Sequence, residues 1–323
     1  MVTKRFIPFV ILFLLMGSFI PVNANISSWG YQLQDFTVDE LASSPYDLLV
    51  IDYSFDGSDE SALTAEEVGT IQATSKTAVS YISIGEAEDY RYYFDKTWIS
   101  NPPSWFDGEN PDWKGNYKVK YWDSEWQSII FDYLDKIISA NFNGVYLDII
   151  DAYEFYEDTV PDAGQKMIDF VGNISSYCKS KSTFGQDFLI IPQNGDPLLQ
   201  DETYLSYIDG IGREDVYIVQ DTQKKRDTTE ITEIESNLDL VKAANKLVLI
   251  VDYSNKQDLI TFARESAQTK GYLHYIGTLD LNKLLPPDYS GSTDNSSLPF
   301  PMIFNMVGIS VVALIFRKRT MLN

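Results

Sequence analysis

The chain has 323 residues, with 25 Lys and Arg against 47 Asp and Glu, a formal charge of −22 and 44% apolar residues. That apolar share builds a core and excludes global disorder, while the acidic balance argues against a nucleic-acid partner, whose phosphates demand Lys and Arg. One cysteine, Cys178, excludes an intramolecular disulfide, and one histidine, His274, excludes Cys/His zinc clusters and multi-His metal sites.

Residues 1–24 read as a signal peptide. Lys4 and Arg5 precede an apolar run, and Val22-Asn23-Ala24 sets small residues before Asn25. An uncleaved anchor is the alternative reading.

From residue 25 to 287 one pattern repeats: short apolar runs alternate with amphipathic stretches. The runs are 29–33, 47–53, 78–84, 144–150, 188–192, 208–213, 247–253 and 271–277. Their near-continuous apolarity predicts strands buried on both faces, as in a parallel sheet. Between them, Trp126, Ile130, Tyr133, Ile137 and Ile138 recur at helical spacing over 124–140, opened by a capping-box pattern at Ser124 and Gln127. Met167, Val171, Ile174 and Cys178 repeat the spacing, as do 231–245 and 256–269. Cys178 and His274 read as packed or hydrogen-bonded core residues. Eight strands separated by helices predict a single-domain α/β fold, a (β/α)8 TIM barrel. A doubly wound open sheet is the runner-up, but no Gly-rich phosphate loop follows the first run. The longest insertion, 85–123, carries Trp98, Trp105, Trp113 and Trp122, and a loop of that length is usually functional.

Residues 288–297 read as a linker. The apolar stretch 298–316 follows, about 19 residues at ~1.5 Å each, long enough to span a bilayer core. Arg317-Lys318-Arg319 then predicts a short basic cytoplasmic tail, 317–323, with the main domain outside. The chain is thus expected to be exported and held at the cell surface by a C-terminal transmembrane anchor; a removable sorting signal is the alternative. Sequons at Asn25, Asn173 and Asn295 fit an exported chain.

In barrels, reactive residues sit at the C-terminal ends of strands. The polar residues there are Asp52, Glu86, Asp148, Asp151, Asn194, Glu214 and Asp252. Any one could simply cap a helix. A ring of carboxylates at one rim raises pKa values by mutual repulsion and marks a candidate site. With one histidine there is no Ser-His-Asp arrangement. Paired carboxylates with many aromatics, here 6 Trp, 21 Tyr and 18 Phe, suit glycoside hydrolysis, which needs no metal or cofactor. A carboxylate site for a divalent metal is the competing use.

Four segments carry a resemblance. They are Trp29-Gly30-Tyr31-Gln32-Leu33-Gln34, the stretch from Val79 through Gly85-Glu86-Ala87-Glu88 to Arg91, Lys118-Val119-Lys120-Tyr121-Trp122-Asp123, and Asn143-Gly144-Val145-Tyr146-Leu147-Asp148. In this order they resemble glycoside hydrolase family 114, the endo-α-1,4-polygalactosaminidases. The resemblance spans roughly residues 29–285. It implies a (β/α)8 barrel acting on galactosamine-containing exopolysaccharide. It also implies Asp148 as nucleophile and Glu214 as acid/base, with Asp215 adjacent. Since neighbours in a strand point to opposite sides, only one of Glu214 and Asp215 can face the barrel mouth. Gln193-Asn194-Gly195, Asp52, Glu86, Trp122, Asp151 and Asp252 would line the sugar subsites. A deacetylated galactosamine polymer is a polycation, which an acidic domain would attract. The competing readings are a non-catalytic carbohydrate-binding barrel and a structural surface protein.

Overall fold

The computed structural model describes residues 26–291. The predicted signal peptide, the transmembrane stretch 298–316, the basic tail and the sequons at Asn25 and Asn295 lie outside them. Among the described residues, no helix is long and apolar enough to cross a membrane.

All eight apolar runs form strands. β1 (Trp29–Gln32), β2 (Leu48–Asp52), β3 (Thr77–Ser83), β4 (Gly144–Asp148) and β5 (Leu189–Pro192) make one parallel sheet in that order. β6 (Gly210–Glu214), β7 (Leu247–Tyr253) and β8 (Leu273–Gly277) make a second, also parallel, with β7 central. A parallel bridge from Gln193 to Gly212 carries β5 onto β6. At the other seam the Trp29 indole donates to the Leu273 carbonyl at 3.0 Å, and its ring lies 5.8 Å from that of Tyr275. The strands therefore follow one another round the molecule in chain order, and the fold is a TIM-barrel-like α/β fold. Its helices are α1 (Val38–Ser43), α2 (Ala65–Gln72), α3 (Ser124–Ser139), α4 (Ala152–Tyr156), α5 (Ala163–Lys181), α6 (Glu202–Tyr207), α7 (Thr228–Ala243) and α8 (Gln257–Lys270).

The interior is filled by rings. Tyr31 stacks on Trp29 at 6.1 Å and meets Tyr146 at 5.3 Å. A Cβ on Gly212 would fall 1.9 Å from the Tyr146 hydroxyl, so only glycine on β6 leaves that ring its place. Cys178 packs inside α5 with Met167, Val171 and Ile174, as expected. The sequon residue Asn173 is exposed in the middle of that helix rather than on a loop.

One local expectation fails. The cap of α3 is Asp123, whose carboxylate accepts from the Glu125 amide at 2.9 Å, and not a Ser124–Gln127 box. An aspartate one residue earlier meets the free amides at a helix N-terminus and carries favourable charge there.

The long insertion folds as a three-stranded antiparallel sheet, with Asn116–Val119 between Glu86–Glu88 and Phe106–Glu109. Trp105 is buried between Trp98, at 4.9 Å, and Trp126 of α3, at 5.2 Å, so much of its aromatic content is packing. Arg91 pins the insertion down. Its guanidinium grips both Asp52 oxygens at 2.8 Å, Glu88 at 2.7 Å and the Tyr133 hydroxyl at 2.9 Å. Removing one partner of such a buried pair costs about 3–5 kcal/mol, because the other charge is stranded.

Candidate active site

Asp148 ends β4 and Glu214 ends β6. Both are about 1% exposed. Asp148 accepts from the Tyr81 hydroxyl at 2.7 Å and from the amide of Ile149 at 2.8 Å. Glu214 accepts at Oε1 from the Tyr253 hydroxyl at 2.5 Å, and at Oε2 from Gln193 at 2.5 Å and Asn194 at 3.2 Å. Gln193 is oriented in turn by the Tyr31 hydroxyl, 3.1 Å from its Oε1. Arg213 holds Asn194 through Nη1 and reaches Asp196 through Nε at 2.8 Å.

The backbone is strained where these side chains emerge. Ile149, Asn194 and Asp215, each just past a strand tip, have φ of 60°, 63° and 54°. A left-handed β-branched residue such as Ile149 is an outlier, and such strain persists only where the surroundings over-determine it. Gly85 helps to hold it: a Cβ there would lie 2.3 Å from the Ile149 carbonyl.

Electrostatically the pair is one unit. Burial raises Asp148 well above the usual carboxylate range, and the Glu214 charge adds to it. Burial also raises Glu214, opposed by its three side-chain donors. Tyr31 and Tyr146 feel both carboxylates, which puts the two acids over the same aromatic floor.

The other expected site residues separate into three groups. Asn194 belongs to the pair as a clamp on Glu214. Asp151, half-buried at the start of α4, senses Arg213, Glu214 and Glu86, and burial first of all pushes its carboxyl up to about 6. Glu86 is buried and accepts from Asn110 at 2.8 Å and Asn116 at 3.2 Å, which ties the insertion to the rim. Trp122 is half-buried, edge-on to Tyr156 at 4.8 Å and Tyr121 at 5.0 Å, and forms an aromatic wall beside α4.

Asp52 and Asp252 are not brought to the pair. Arg91 occupies both oxygens of Asp52. Asp252 is fully buried, accepting from the Tyr217 and Ile218 amides at 3.0 and 2.9 Å, with the His274 Nε2 3.0 Å away. Strand alternation explains it: Tyr253 faces Glu214, so its neighbour Asp252 faces the other way. The same rule settles Glu214 against Asp215. Asp215 turns toward Asp252, and burial with that neighbour pushes it up to about 8.

Tyr81 and Tyr253 escaped the sequence reading. Parity held the signal, since Tyr81 lies two residues before the rim residue Ser83, and Tyr253 directly follows Asp252. Among the described residues, no group of three or more His, Cys, Asp or Glu is arranged to hold a metal ion.

A barrel-like α/β fold with two buried, individually clamped carboxylates at the tips of β4 and β6, with β5 between them, is the layout of a glycosidase. Comparison with known proteins agrees. Residues 19–293 match Glycoside-hydrolase family GH114, and the chain belongs to that family. It is 42% identical over 266 residues to an uncharacterized protein of Methanocaldococcus jannaschii, covering 78% of this chain and 75% of that one. It is 38% identical over 282 residues to one of Thermotoga maritima, covering 82% and 83%. Among solved structures, the fold is similar to the glycoside hydrolase domain of PelA from Pseudomonas aeruginosa, with a TM-score of 0.63, 14% identity, and 80% and 97% of the two chains covered. It is similar to Aspergillus fumigatus Ega3 with a TM-score of 0.60, 14% identity, and 80% and 93% covered. The protein is a glycosidase of family GH114.

Proposed function

We propose that this glycosidase cleaves α-1,4-linked galactosamine-containing polysaccharide with retention, using Asp148 as nucleophile and Glu214 as acid/base. The observation that carries the reading is the pair itself, two buried carboxylates over one aromatic floor with separate sets of donors. Glu214 can hold a proton at Oε1, because the Tyr253 hydroxyl facing it can accept as well as donate, while Oε2 keeps two amide donors. Asp148 has the Ile149 amide, a donor that cannot be reversed and so favours the anion.

Burial holds Asp148 well up. An ammonium on the incoming sugar opposes that shift and favours the ionised nucleophile. Substrate charge then helps to ready the attack, which supports a deacetylated amino sugar as substrate. Ega3, a structural neighbour, was solved in complex with galactosamine. Attack of Asp148 on the anomeric carbon, with Glu214 giving its proton to the leaving oxygen, forms a glycosyl-enzyme ester. Glu214 then takes a proton from the water that hydrolyses it.

The deciding experiment is NMR of the first product from galactosamine oligomers. Retention is expected, and an inverted anomer would sink the mechanism. Asp148→Asn should abolish turnover, and full activity in that variant would sink the catalytic reading.

The sequence ends support export and surface anchoring. A chain ending at residue 290 should appear in the medium while the full chain sediments with membranes. Equal release of both would remove the anchor.

A further inference from the structure

We propose that a groove on the antiparallel sheet of the insertion is a second binding site for amino-sugar units, engaging the same polymer away from the cleavage point; this rests on the substrate class proposed above. The groove is an open depression of about 360 Å³ lined by Trp98, Ile99, Phe106, Asp107, Glu109 and Tyr117. That volume lies at the small-ligand end of known sites, ~300–1,000 Å³.

Its lining has the chemistry of a cationic sugar. The half-buried Tyr117 and Trp98 give the groove an aromatic side, backed by the buried Phe106, on which Tyr117 stacks at 4.9 Å and Trp98 leans at 5.9 Å. Ile99 is 58% exposed, an uncovered apolar face beside it. Faces of this kind take the C–H side of a pyranose and also attract an ammonium. The carboxylates supply the complementary charge. Glu109 is exposed, and the hydrogen bond it accepts from the Gly115 amide, at 2.8 Å, uses Oε1. Asp89 lies near enough to sense Glu109. The nearby cations are Lys120, 3.8 Å from Asp107, and Lys96 and Lys114, which act on Asp89.

The groove is tied to the aromatic wall beside α4. Asp107 accepts from the Tyr156 hydroxyl at 2.8 Å, and the Tyr156 ring packs against Trp122. A polymer engaging both sites would run along that wall. Two contacts on one polymer raise affinity by effective concentration, with no change in the chemistry of either.

The test uses full-length protein carrying Asp148→Asn, so that polymer is bound and not consumed. Affinity electrophoresis in partly deacetylated α-1,4-galactosaminan reads the binding. Adding Glu109→Gln or Ile99→Lys, both at exposed positions, should weaken polymer binding about threefold each, and the pair about tenfold. In the otherwise wild-type enzyme, the same substitutions should leave hydrolysis of a galactosamine trisaccharide within about twofold while raising KM for polymer. If the double variant binds and cleaves polymer like its parent, the groove is only packing and this proposal falls, with the catalytic reading intact. If the wild-type enzyme cleaves neither polymer nor trisaccharide and the Asp148→Asn chain binds no polymer, the substrate reading falls and this proposal falls with it.

Discussion

Tyr81 of β3 reaches Asp148 of β4 with a 2.7 Å hydrogen bond, although the strand register places Ser83 opposite Asp148 and Tyr81 opposite Tyr146. The two-residue offset, about 6.6 Å along a strand, is about the length of a tyrosine side chain leaning toward the rim. The hydroxyl is therefore delivered from two residues below the strand tip, and strand pairing fixes its position.

Tyr81→Phe tests that delivery. It removes one donor to a buried carboxylate and leaves the ring in place. A hydrogen bond to a charged group contributes about 1.5–3 kcal/mol, so kcat should fall about 10- to 100-fold with KM little changed. The donor favours ionised Asp148, so its loss should move the acid limb of the rate profile to higher pH. An unchanged profile would mean that Tyr81 only packs.

Asp148→Asn should make the protein more stable at neutral pH. The folded-state pKa of Asp148 is raised by burial and by Glu214. Below the unfolded pKa both states are protonated and the group contributes nothing. As pH rises toward the raised folded value, the unfolded chain releases a proton that the folded chain keeps, and stability falls. The asparagine variant escapes this penalty. Its Tm should exceed that of the parent by on the order of 5 °C at pH 7, and match it near pH 4. Equal Tm values at pH 7 would contradict a strained acid pair.

Asp215→Asn separates the two neighbouring acids. Asp215 is pushed up to about 8 from 3.8, by burial, Asp252 and Glu214 in that order. Its destabilising effect should therefore grow between about pH 4 and 8 and level off above. The variant should gain Tm progressively over that window and keep activity within about threefold. Glu214→Gln should lose turnover on poor leaving groups and keep some on good ones, which need little protonation. Comparable kinetic losses in both variants would undo the assignment of Glu214 to the mouth.

The eight strands were legible because two-sided burial leaves unbroken apolar runs: β7 is buried at all seven positions. That Asp148 and Glu214 stand at strand tips was legible because each ends such a run. Which way a rim residue points was not. Asp252 and Tyr253 are adjacent, and composition alone favoured the acid, while the one-residue phase of β7 turned the tyrosine inward. Asp52 was misread for a different reason. Its partner Arg91 is 39 positions away, on an insertion whose fold has no periodic signature. The length of that insertion marked it as functional, but its Trp105 is buried against α3.

Charge selectivity should centre on Asp151. It is the half-buried acid beside the pair, with a carboxyl pushed up to about 6, and Glu86, Glu154 and Glu214 are its acidic neighbours. An ammonium placed there would be met by a group that ionises as it binds. Capture of deacetylated polymer by the Asp148→Asn chain should thus tighten as pH rises through about 6, with a proton released. Adding Asp151→Asn should flatten that pH dependence and cut the preference for deacetylated over acetylated polymer by about tenfold, the loss of one close, partly desolvated charge contact. Salt should act in the same direction, since at about 0.5 M the Debye length shrinks to ~4 Å and exposed contacts are screened. The screened fraction should be larger for the parent than for the variant, because the variant has already lost one charge. Equal affinity for acetylated and deacetylated polymer at low salt would show that the acidic rim does not select for charge.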